Sequence, residues 1–219
     1  ALHSWLKGWV YPVFVITIMF MNYLSKSTAS FHYTSYAYGL NYAISEDCEY
    51  SIDRISRIAN NHKLNKDTYN EYIQTLENWK KSTGQERPKL ILVNTSGGGS
   101  RSALWTITVL QALDRATNGQ VSDQTQLITG ASGGMIGAAY YRELVLREKI
   151  GKIESSLDKK YRDNLSKDML NKLTFMASTN DIFIRYQKVE YDGFKYTKDR
   201  GHAFEMQLHT NTENVLKHK

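Results

Sequence analysis

Near its start the chain runs apolar from Trp9 to Leu24, with only Pro12, Thr17 and Asn22 against the trend. Extended back to Trp5 and coiled as a helix, the run reaches roughly 30 Å, the thickness of a bilayer core. Trp5, Trp9, Tyr11 and Tyr23 sit near its ends, and Lys7 and Lys26 flank it, as interfacial anchors do. The pattern predicts a transmembrane helix over residues 1–26. A signal peptide ending at the cleavage-like "STAS" (27–30) and a buried helix are the competing readings.

Polar, tyrosine-rich sequence follows without a sustained period, so residues 27–87 read as a connecting region with a short helix around 50–60. Within it, "DTYNEYIQTLENWKKSTG" puts Tyr69, Tyr72, Ile73, Leu76 and Trp79 on one helical face, with Asp67 as N-cap and Gly84 as stop. This amphipathic helix is expected to dock on the domain that follows.

Beyond Pro88, "KLILVNT" (89–95) has the short, β-branched character of a parallel strand buried on both faces. A glycine cluster and a helical pattern through Leu104, Ile107, Leu110, Leu113 and Ala116 come next, ending at Gly119. The apolar "TQLIT" and a second helix to about Ile150 repeat that order. Strand, loop, helix, repeated, argues an α/β layered fold with a largely parallel sheet flanked by helices. A charged helix is expected over 153–177, with Leu157, Tyr161, Leu165, Leu170 and Leu173 inward, and loop from there to a short helix near Gly201.

Composition narrows the classes. Apolar residues at 41% and charged residues at 23% describe a folded chain. A single cysteine, Cys48, excludes an internal disulfide framework and any multi-cysteine zinc site. No metal or other cofactor is implied. The net charge of +6 suits anionic surfaces, but most lysines alternate with acids, and nucleic acid is not expected as a partner.

Two turns carry candidate chemistry. Gly130-Ala131-Ser132-Gly133-Gly134 satisfies G-x-S-x-G between an expected strand and an expected helix. A nucleophile on so sharp a turn needs small residues two before and two after it, and the helix start aims N–H groups at developing negative charge. The alternative is a packing corner in which Ser132 has no special role. On the preceding turn, "NTSGGGSRSALW", Gly97, Gly98 and Gly99 free the backbone to present N–H groups to an anion. The spacing fits neither a P-loop nor a dinucleotide loop, so an oxyanion hole is the better reading. Arg101, unfavourable beside a helix N-terminus, calls for a carboxylate or anionic ligand as partner.

"GGGSR" followed by "GASGG" resembles the patatin-like phospholipases, with their G-G-G-x-R-G, G-x-S-x-G and later D-G-[GA]. The strings "YGLNY", "LENWK", "SALW" and "DRGHAFE" are similar to a bacterial, membrane-tethered branch of that family. The resemblance implies a Ser-Asp dyad, Ser132 as nucleophile, and Gly97, Gly98, Gly99 and Gly133 around the oxyanion. It also implies membrane phospholipid or another acyl-ester lipid as substrate. Residues 88–219 would be the N-terminal part of such a domain, cytoplasmic at a bacterial inner membrane. Ser102 departs from the pattern, standing where the family has glycine.

The base is the open question. Asp192-Gly193 is the one D-G pair, but it follows Ser132 too closely for the family and precedes Phe194 rather than a small residue. It is a fallback base and reads first as a turn. A Ser-Asp-His triad through His202 or His209 fits the order of residues but lacks the histidine that leads the corresponding glycine loop. The expectation is therefore an aspartate beyond residue 219 or on a second polypeptide segment that also completes the sheet. A non-catalytic interaction component of a membrane complex is the rival function.

Overall fold

In the computed structural model, residues 2–27, 50–181, 187–191 and 193–217 are described. They divide into two units, one of residues 1–41 and 168–214, the other of 42–167 and 215–219. The first contains α1 (Leu2–Ser27); the second begins with α2 (Ile52–Ala59) and α3 (His62–Ser82).

Among the described residues no helix is long and apolar enough to cross a membrane, which corrects the transmembrane reading of 1–26. Helix α1 does form, but Lys7, Tyr11, Pro12, Thr17 and Asn22 punctuate its apolar run. Thr17 and Asn22 turn back on the helix itself, donating to the carbonyls of Val13 and Ile18 at 2.8 and 3.0 Å. Helix α3 starts five residues before the expected cap at Asp67.

The second unit continues with β1 (Ile91–Thr95), α4 (Gly99–Thr117), α5 (Gln120–Gln124), β2 (Thr125–Gly130), α6 (Ser132–Lys149) and α7 (Lys159–Ser166). Strands β1 and β2 pair in parallel, a geometry that needs the helical crossover the sequence supplies. Its core is the seam between α4 and α6, where Ala103, Ile107 and Leu110 meet Ala138, Tyr141, Leu144 and Val145 in the buried set. Tyr161 and Leu165 of α7 close that core, with the Tyr140 and Tyr161 rings edge-on at 6.1 Å.

Behind the seam sits a buried acid. Tyr141 Oη and Ser122 Oγ both donate to Asp114 Oδ2, and the Ser122 N–H donates to Asp114 Oδ1 at 2.8 Å. Burial, reinforced by the Asp114 carboxylate, pushes the Tyr141 phenol well above its ordinary range, so it remains a donor. Gln111, also fully buried, donates to the carbonyls of Ser156 and Asp158 and ties down the approach to α7.

The expected layered fold with a largely parallel sheet is not what forms. Among the described residues the chain is mostly helical, with one two-stranded parallel sheet and one two-stranded antiparallel sheet. One face of the parallel pair is open: Leu92 and Leu127, partners in register, are 63% and 51% exposed. Strand β1 was expected to be covered on both sides, yet its burial alternates.

The first unit holds α8 (Asn171–Ser178), the hairpin of β3 (Lys188–Tyr191) and β4 (Phe194–Thr197), and α9 (Arg200–Asn211). The single helix expected over 153–177 is broken. Lys167 is extended, and Asp168 caps the next start by accepting the Leu170 N–H at 3.0 Å. Leu170, expected inward, is exposed. The hairpin replaces expected loop, and Gly193 at φ +79° supplies the left-handed residue of its turn.

Candidate active site at the carboxyl ends of the parallel strands

Parallel pairing sets the two glycine turns side by side. Thr95, the last residue of β1, lies in register with Gly130, the last of β2. The ladder runs one step further, with the Ala131 N–H donating to the Thr95 carbonyl at 3.1 Å. Thr95 Oγ1 donates to the Thr129 carbonyl and Thr129 Oγ1 to Asn94 Oδ1, so both strand ends are cross-tied.

Ser132 begins α6 at φ +49°, in the left-handed region that costs a non-glycine residue about 1–2 kcal/mol. Its neighbours explain how the turn closes. A Cβ on Gly130 would fall on the Thr95 hydroxyl, and one on Gly134 would fall on the Ser96 carbonyl oxygen. The residues two before and two after the serine thus have no room for a side chain, as a strained nucleophile turn demands. The serine itself is exposed.

The first glycine turn lies against it. The Cβ direction of Gly97 points to the Ser132 Cβ at 3.4 Å, and Gly133 packs on the Gly99 carbonyl. Helices α4 and α6 both start here, and neither N-cap residue, Gly98 or Ala131, provides a side-chain cap bond. Two helix N-termini therefore bring uncapped N–H groups and positive dipole ends to the neighbourhood of one hydroxyl. Of the four expected oxyanion glycines, Gly97 faces Ser132, Gly133 follows it and meets Gly99, and Gly98 faces Ser102 on the same turn.

Ser102 gains a role here. Its hydroxyl donates to the Ser96 carbonyl at 2.5 Å and its N–H to the Gly98 carbonyl at 3.4 Å, bracing the turn. Arg101, in the first turn of α4, is exposed, and no carboxylate among the described residues pairs with it.

The base is not assembled. Among the described residues none hydrogen-bonds the Ser132 hydroxyl, and Asp192 lies outside them. His202 and His209 belong to α9 in the first unit, where His209 Nε2 faces Glu205 Oε1 at 3.5 Å. Burial, helped by Lys198, holds the His202 imidazole below its usual pKa. Asp114 is no substitute base, because its carboxylate is saturated by donors inside the core. Among the described residues no group of three or more His, Cys, Asp or Glu could hold a metal.

Sequence reasoning missed the Asp114 cluster and the Ser102 brace. Asp114 was marked by its place at helical spacing from Ile107 and Leu110, an acid on an otherwise apolar stripe. Compared with known proteins, the chain matches no family model, no curated protein and no solved structure.

Proposed function

We propose that this chain carries the nucleophile and oxyanion site of a serine acyl hydrolase acting on lipid esters. The observation that supports it most is the backbone of Ser132, held at φ +49° between two glycines that have no space for a Cβ. Strain of this kind persists where surrounding structure over-determines it, and it clusters at reacting groups. The lipid-ester class follows from the patatin-like order of "GGGSR" and "GASGG".

In this reading Ser132 Oγ attacks the ester carbonyl carbon while a carboxylate outside the described residues accepts its proton. N–H groups from Gly98, Gly99 and Gly133 hold the oxyanion. The tetrahedral adduct collapses, the C–O bond to the alcohol breaks, and the alcohol leaves with the proton held by the carboxylate. Water then attacks the acyl-serine, giving free acid and restoring the hydroxyl. Ester turnover by the native protein tests this: Ser132→Ala should lower kcat at least a thousandfold, and unchanged turnover would refute it.

One observation favours a second reading, a non-catalytic interaction component: the Ser132 hydroxyl accepts or donates no hydrogen bond among the described residues. A folded native protein that hydrolyses no acyl ester would favour that reading.

A further inference from the structure

Helix α3 leaves much of its apolar face in contact with water. Tyr69 and Tyr72 are 63% and 68% exposed, Ile73 and Leu76 keep 38% and 37% of their surface open, and Trp79 at the far end is covered further. Reading along that face gives Lys66, Tyr69, Ile73, Leu76 and Lys80, at alternating spacings of three and four, so one stripe is lysine-bounded at both ends. Neither lysine forms an ion pair among the described residues. Asp67 and Glu71 fall on the opposite side of the helix by the same spacing, and Glu77 at the stripe's edge forms no ion pair with Lys80 among the described residues.

The charge pattern selects the occupant. A second copy of α3 would set lysines against lysines at both ends of the shared seam, which repels. An anionic phospholipid surface complements them, and tyrosine with lysine at the rim is the composition that seats a helix in the headgroup layer.

We propose that the exposed stripe of α3 docks the protein on an anionic phospholipid surface. This deepens the lipid-ester reading, and it needs no spanning helix. The test is co-sedimentation of the native protein carrying Ser132→Ala with vesicles of phosphatidylcholine alone or mixed with phosphatidylglycerol. Because Ser132 is replaced, vesicle binding is read without hydrolysis and the α3 variants isolate the share due to that helix; failure of the hydrolase reading would show instead in the turnover of the unaltered serine protein.

Binding should require the anionic lipid and weaken with salt. Each surface lysine contributes about fivefold to partitioning on an anionic bilayer, so Lys66→Gln with Lys80→Gln should cost about thirtyfold. Tyr69→Ser with Leu76→Ser should also release the protein, while Asp67→Asn with Glu71→Gln on the far side should not. All six positions are exposed, so circular dichroism of each variant should match the parent. Equal binding to both vesicle types, or lysine and tyrosine variants that bind as the parent does, would overturn the proposal. So would a dimer that these variants dissociate without changing vesicle binding.

Discussion

The Ser102 hydroxyl donates to the Ser96 carbonyl oxygen at 2.5 Å, spanning the glycine turn that faces Ser132. The bond ties Ser96 to the first turn of α4 across Gly97, Gly98 and Gly99. Ser102→Ala should lower stability by about 1 kcal/mol, the net worth of one hydrogen bond. It should also slow acylation of Ser132 about tenfold, since small misplacements of an oxyanion site are expensive. Thermal unfolding and single-turnover kinetics read the two effects separately.

Strain at Ser132 makes a prediction of opposite sign. Glycine tolerates φ +49° at no steric cost, so Ser132→Gly should stabilise the protein by about 1 kcal/mol, or roughly 2–4 °C in Tm, while abolishing turnover. Ser132→Ala keeps a Cβ and should gain nothing. Equal melting temperatures for the two variants would remove the strain argument.

Tyr141→Phe should destabilise the second unit by about 2 kcal/mol, because it leaves the buried Asp114 carboxylate short of one donor. Urea unfolding with an unchanged m-value is the expected signature. Turnover at saturating substrate should stay near the parent value, because this cluster belongs to the core rather than the site.

His202 gives the first unit a pH dependence. Its pKa in the folded chain is lowered below the ordinary 6.5, chiefly by burial, with Lys198, Lys172 and His209 acting in the same direction and Asp199 opposing. Between the folded and unfolded pKa values the unfolded chain binds more protons, so stability falls as pH drops through that window and levels off below it. Melting temperatures followed downward from pH 7.5 should show the decline, and His202→Gln should flatten it.

The turns at 97–101 and 130–134 were legible in the sequence because their glycines encode steric demands that nothing else satisfies. Gly130 and Gly134 face Thr95 and Ser96 at contact distances no side chain allows. Helix α4 was legible from its apolar spacing, although only Ile107 and Leu110 of that pattern enter the seam and Leu113 is exposed. The β3–β4 hairpin was not, although "KVEYDGFKYT" alternates around a D-G turn, because its tyrosines and lysines resemble the polar loops around them. The break between α7 and α8 depends on the Asp168 carboxylate capping new N–H groups, a choice that helical periodicity does not register. The apolar run of α1 overstated its own continuity, since Pro12, Thr17 and Asn22 dilute it. The open face at Leu92 and Leu127 was invisible because an apolar strand reads the same whether or not something covers it.

The central claim is that Ser132 is an activated nucleophile, and the most direct measurement is the site of covalent modification by a fluorophosphonate. The native protein should gain one phosphonyl group, peptide mapping should place it on Ser132, and Ser132→Ala should gain none. A folded native protein that stays unmodified, or that carries the adduct on another serine, would contradict the account.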